Sequence, residues 1–148
     1  MSNLETARAF FEACEAGRGW EACRTHCTPS ATFAAQAGAL AEVQTLEQYT
    51  EWMKGILSML TDGTYELHAF AEDRERGQVC AFATFVGTHR AGGPVPPTNK
   101  TTRTDYVYAM RFQGGKIVHM TKVWNDGYAL RELGWIDPVS AKDRFASQ

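Results

Sequence analysis

At Asp62-Gly63 the hydrophobic pattern changes from the period of helices to the period of strands, and no other feature limits the fold of this chain so strongly. Before that point, apolar residues recur at helical spacing. Leu4, Ala7, Phe10, Phe11 and Cys14 form one stripe, preceded by Ser2-x-x-Glu5, a plausible capping box, and ended by Gly17 and Gly19. A short second helix fits 20–26, stopped at Thr28-Pro29, and a strand with a bend after it fits 31–36. Thr45-x-x-Gln48 is another capping box, followed by Leu46, Tyr49, Met53, Ile56 and Leu60 on one face with Trp52 at its flank.

After Asp62-Gly63 the period is two. Strands are expected at 64–73, 78–89, 100–112 and 116–125. Turn 74–77, a Gly- and Pro-rich loop at 90–99 and the hairpin signal Gly114-Gly115 separate them. Helices first and a meander last predict an α+β domain, with N-terminal helices packed on one face of a strongly curved, mostly antiparallel sheet. Such curvature leaves a hollow suited to a small hydrophobic molecule. One domain spanning 1–148 is expected, with 137–148 as a loosely held tail.

The bulk properties exclude several roles. Fifteen basic and 17 acidic residues give a formal net charge of −2, and without a long basic run no nucleic-acid partner is expected. No stretch approaches the roughly 20 apolar residues of a membrane span, so no membrane partner is expected. The first residues, MSNLETARAFFEACEAG, carry acids early and lack a basic n-region. A cytoplasmic location follows as an expectation, and with it free thiols at Cys14, Cys23, Cys27 and Cys80. Cys23-x-x-His26-Cys27 resembles a metal motif. But no second ligand pair lies elsewhere, and Trp20, Cys23 and Cys27 recur as a buried helical stripe, so no metal is assigned. No glycine loop leads into a helix as a nucleotide cofactor requires, and no cofactor is expected.

Alternation sorts the last two strands. Thr104, Tyr106, Tyr108, Met110 and Phe112 share the bulkier face and are expected to point inward. In the final strand Ile117, His119, Thr121, Val123 and Asn125 are expected inward. Val118, Met120, Lys122 and Trp124 would then lie outward, where an apolar patch with Met120 and Trp124 suggests a homodimer through the outer sheet face.

The order of elements, the hairpin of Arg111, Phe112, Gly115, Lys116, Ile117 and Val118, and the closing Leu130, Leu133 and Gly134 resemble the NTF2-like superfamily, and within it the SnoaL-like polyketide cyclase group. The resemblance covers most of residues 3–136. It implies a cone-shaped fold with a buried pocket and frequent dimers. That scaffold hosts cyclases, isomerases, epoxide hydrolases, dehydratases and non-catalytic binding proteins. In the SnoaL-like group an aspartate near the end of the last strand acts as acid/base on a polyketide ester. Counting back from Leu133-Gly134, that place falls on Asn125, with Asp126 beside it.

Asp126 has two readings: a general base with its pKa raised in an apolar hollow, or the N-cap of a helix continuing through Ala129, Leu130 and Leu133. His119 is a candidate proton shuttle and Asn125 a hydrogen-bond donor to a developing enolate. Tyr106, Tyr108, Met110, Gln36 and Trp52 are candidate substrate contacts. The expected function is cofactor-independent acid/base proton transfer on a carbonyl or polyketide-like substrate, as in a cyclase or isomerase. The alternative is a module that holds a small ligand without transforming it.

Overall fold

The computed structural model describes residues 1–137. The expected tail lies outside the described residues except for Asp137. Helix α1 spans Asn3–Glu15, α2 spans Trp20–Cys23 and continues as a 3-10 turn to His26, and strand β1 spans Cys27–Ala35. Helix α3 (Leu46–Met59) is followed by strands β2 (Thr64–Asp73), β3 (Gln78–Thr88), β4 (Thr101–Gln113) and β5 (Lys116–Trp124), and by helix α4 (Asp126–Glu132).

Local chemistry sets the helix starts. Thr45 accepts a bond from the Gln48 amide at 3.1 Å, and the Gln48 side chain accepts from the Thr45 amide at 3.2 Å. Both halves of the capping box are therefore present in α3. In α1 only the first half forms: Ser2 Oγ accepts from the Glu5 amide, while the Glu5 carboxylate takes the Ser2 hydroxyl rather than its backbone.

The sheet order is β1-β5-β4-β3-β2. Strands β2 to β5 form the expected antiparallel meander, and β1 adds to β5 in parallel, making the sheet mixed and open. Pro29 is tolerated because β1 is an edge strand. The fold is thus the α+β arrangement expected, with α1 and α3 covering one face. Phe10, Phe11, Tyr49, Met53, Tyr108 and Met120 fill the interlayer core. Phe33 stacks on Tyr49 at 4.4 Å between centroids, and Phe11 meets Tyr108 edge-on at 5.7 Å.

Register shifts interrupt the ladders at Leu67/Ala69 in β2 and at Arg111/Phe112 against β5. Phe112 pairs with Ile117 and Arg111 with His119, so Val118 is an extra residue. Such a bulge bends the strand and reverses the facing of every later position. The expected facing of β5 is therefore corrected. Ile117 is buried, but beyond the bulge Met120 and Lys122 are buried, while Val123 is 62% exposed. The outer apolar surface carries Val123 and Phe82 rather than Met120 and Trp124.

Among the described residues no helix is long and apolar enough to cross a membrane. None of the four cysteines is in a disulfide, and Cys14, Cys23 and Cys27 are buried.

Candidate functional site

A cavity of about 290 Å³ lies between the inner sheet face, α3 and α4. Its walls are overwhelmingly apolar: Met53, Ile56 and Leu60 from the α3 side, Phe85 from β3, Leu130 and Leu133 from α4. Polar side chains are few, and they come from three separate elements. Glu15 ends α1, Tyr106 and Tyr108 lie on β4, and Lys122 on β5. Trp52 and Trp124 complete this end.

Alternation brings Thr104, Tyr106 and Tyr108 to the inner face of β4 together with Met110 and Phe112, as expected. The bulge at Val118 does the same for Lys122 and Trp124. Lys122 is 6% exposed and Glu15 is 5% exposed. The Lys122 ammonium donates to the Tyr49 hydroxyl at 2.9 Å, and the Tyr49 and Tyr108 hydroxyls share a short hydrogen bond. The same nitrogen lies 5.2 Å from the ring centroid of Trp52, 5.5 Å from Tyr106 and 5.9 Å from Tyr108. The negative ring faces compensate part of the lost hydration of the cation. Compensation is incomplete: burial lowers the Lys122 pKa to about 8, against the attraction of Glu15.

Burial acts on Glu15 in the opposite sense and raises its carboxyl above the ordinary range. Tyr108, Lys122 and Tyr106 oppose that shift. Glu15 Oε1 and the Tyr106 hydroxyl are nevertheless buried without a well-formed hydrogen bond in the protein. Two orphaned polar atoms cost free energy unless another molecule supplies partners. Burial raises the phenols of Tyr49, Tyr106 and Tyr108 as well, so they remain neutral donors.

The far wall is set by the end of α4. Gly134 has φ of 75°, its amide donates to Arg131 and the Trp135 amide to Leu130, which is a Schellman ending. Gly suits this left-handed position, and the turn delivers Trp135 to the cavity. Trp135 Nε1 donates to His89 Nδ1 at 2.9 Å. The Thr98 amide donates to the same nitrogen at 3.3 Å, and His89 Nε2 donates to the Gly92 carbonyl. His89, fully buried, thus ties the 90–99 loop to the wall.

Of the residues singled out from sequence, Tyr106, Tyr108 and Trp52 line the cavity. Met110 is buried in the core beyond the lining. Gln36, Asn125 and Asp126 instead line an outer groove with Phe82 and Val123. Asn125, not Asp126, is the N-cap of α4: its Oδ1 accepts from the Tyr128 amide at 3.0 Å. Asp126 Oδ2 accepts from the Ala39 amide at 2.8 Å, tethering the 38–40 turn whose Ala39 borders the cavity. His119 does not line the cavity. It sits beside Thr32 of the edge strand at 2.7 Å and Thr121 at 3.0 Å, and burial with Arg111 lowers its pKa. Cys23, His26 and Cys27 form no ligand set: among the described residues no group of three His, Cys, Asp or Glu could hold a metal ion.

Glu15 and Lys122 were missed because their strongest signal is relational. Glu15 closes α1 beside Cys14 of the core stripe, and Lys122 shares a strand face with Met120 and Trp124; each reads alone as a surface charge.

The family model described as SnoaL-like domain matches residues 7–120. Three solved structures share the fold. AclR of Streptomyces galilaeus, a proposed hydroxylase, aligns with TM-score 0.73 and 20% identity, covering 98% of this chain and 88% of that one. IdmH of Streptomyces antibioticus, a proposed polyketide cyclase, aligns with TM-score 0.71 and 20% identity, covering 90% and 99%. A proposed SnoaL-like polyketide cyclase of Jannaschia sp. CCS1 aligns with TM-score 0.74 and 15% identity, covering 93% of each chain. Among curated proteins, none matches the sequence.

Proposed function

The chain belongs to the SnoaL-like domain family, and from that premise we propose that it is a cofactor-independent enzyme moving a proton at a carbon next to a carbonyl of a compact, ring-containing apolar substrate. The observation that carries this reading is the pairing, on the wall of one apolar cavity, of a buried carboxyl and a buried amine with two unpartnered polar atoms. An α-proton becomes removable when charge developing on the carbonyl oxygen is stabilised. Lys122, with the neutral phenols of Tyr106 and Tyr108, supplies that stabilisation from the sheet. Glu15 supplies the carboxylate that accepts the proton and returns it. Its raised pKa brings it toward working pH, where transfer in both directions is effective. Proton removal and return at two carbons is isomerisation; attack of the enolate on a second carbonyl is ring closure.

The test is catalysed solvent-deuterium exchange at the α-carbon of 2-tetralone, a bicyclic ketone, followed by mass spectrometry. Acceleration over buffer, reduced by at least tenfold in Glu15→Gln, is expected. Tight binding with no exchange would instead favour a module that holds its ligand unchanged.

We also propose a homodimer through the outer sheet face, where Val123, Phe82 and Val107 present a partly exposed apolar surface.

A further inference from the structure

Lys122 is the one buried lysine among those described; Lys54, Lys100 and Lys116 are exposed. A lysine placed only to fill space is a costly choice, because methionine of similar length would avoid the desolvation. A lysine placed only as a charge partner would be expected to contact its carboxylate directly. Lys122 does neither. Its nitrogen makes one hydrogen bond, to Tyr49, although an ammonium has three donors. Its other surroundings are the faces of aromatic rings and the cavity, with the Trp124 ring centroid 4.2 Å away.

We propose that Lys122 is a covalent catalyst, whose ε-amine condenses with a ketone or aldehyde held in the cavity to form an imine. This deepens the proton-transfer reading and rests on it for the choice of site. The neutral amine is accessible near neutral pH because desolvation disfavours the cation, the usual means of activating a lysine nucleophile.

The steps balance. The amine lone pair forms a C–N bond to the carbonyl carbon, the π pair moves to oxygen, and a proton passes from nitrogen to that oxygen, giving a carbinolamine. The Glu15 carboxyl protonates the hydroxyl, the C–O bond breaks and water leaves, while the nitrogen lone pair closes a protonated C=N bond. Glu15, now a carboxylate, takes the α-proton, the C–H pair forms a C=C bond, and the C=N π pair returns to nitrogen, giving a neutral enamine. Reversal with one water releases the carbonyl compound. No oxidant or reductant is needed. The iminium withdraws electrons from the α-carbon more strongly than a hydrogen-bonded carbonyl does, and the aromatic walls exclude the bulk water that would hydrolyse it early.

The probe is 2-tetralone at pH 8 with sodium cyanoborohydride, which fixes an imine as a secondary amine heavier by the probe mass less one oxygen. Whole-protein and peptide mass spectrometry read stoichiometry and position. One adduct on the peptide bearing Lys122 is expected, formed at least tenfold faster than on Lys54, Lys100 or Lys116, absent from Lys122→Arg and suppressed by tetralin, which has the rings but no carbonyl. Labelling spread evenly over surface lysines, or no adduct, overturns the proposal. The wild-type measurement decides it even if the arginine variant fails to fold. Deuterium exchange separates the two readings. Exchange that proceeds without adduct, and persists in Lys122→Arg, overturns the imine and leaves proton transfer standing. An adduct without exchange shows that the imine forms but overturns the catalytic role proposed for it, together with the proton-transfer reading.

Discussion

Lys122 Nζ lies 4.2 Å from the centroid of the Trp124 ring, two residues further along the same strand and on the same face. Their i, i+2 spacing puts both side chains on one face, and the extra residue Val118 makes that face the inner one. It concentrates a cation and its aromatic partners at one end of an apolar cavity. Five predictions rest on this placement, on the contacts that frame the cavity and on the outer face of the sheet.

The first concerns stability and pH. The folded-state pKa of Lys122 lies at about 8, below its ordinary value of 10.5. Below pH 8 both folded and unfolded chains carry the proton and the burial penalty is fully present. Between pH 8 and 10.5 the unfolded chain binds more protons, so this group makes the fold more stable as pH rises. The full span corresponds to about 3 kcal/mol. Urea unfolding of wild type and Lys122→Met at pH 7, 8, 9 and 10 measures it. The stability difference should move in favour of wild type with rising pH, and a constant difference contradicts the assigned burial.

Tyr106 supplies the second prediction. Its hydroxyl is buried and lacks a well-formed bond in the protein. Tyr106→Phe should therefore leave stability unchanged or raise it, by up to about 1 kcal/mol, while slowing α-deuterium exchange of 2-tetralone about tenfold or more. Thermal melting and exchange rate, measured on the same sample, check both. A destabilised variant with normal exchange would show that the hydroxyl is structural.

Asp126 is the third. Its carboxylate tethers Ala39 and faces an outer groove. Asp126→Ala is expected to cost about 1 kcal/mol and to change exchange by less than about threefold. A loss of a hundredfold would return this residue to the chemistry.

His89 and Val123 give the last pair of contrasts, one inside and one outside. His89→Leu strands the Trp135 indole N–H, the Thr98 amide and the Gly92 carbonyl, and should cost about 2–4 kcal/mol with a change in Trp fluorescence. Val123→Glu should leave the fold intact and convert a dimer to a monomer in sedimentation velocity. A monomeric wild type at tens of micromolar removes the dimer proposal.

The legible parts of this chain were those whose signals are local. Thr45 and Gln48 face each other across one helical turn, so a capping box is written in four residues. The stripe from Leu46 to Met53 and the inward run Tyr106, Tyr108 and Met110 repeat a single period without interruption, and the structure buries them as that period requires. Helix order, the meander and the α+β layering follow from such signals, and the hairpin and L-x-x-L-G motifs add the family.

The tertiary structure alone decided which face of β5 meets the cavity and which charges face each other there. Period-two alternation is accurate only while the ladder is unbroken, and one extra residue at Val118 exchanges inside for outside from His119 onward. Asp126 stood open between general base and N-cap until the packed structure gave the cap to Asn125 and tied Asp126 to the Ala39 amide, 87 positions away in sequence, at 2.8 Å. Glu15 and Lys122 are 107 positions apart, and nothing in the residues around either records that the other lies across the same cavity. Sequence determines the periods that bury apolar surface, because burial is a property of each element's own face; it does not expose the meeting of distant charges, because that depends on register, and register is settled only when the layers pack.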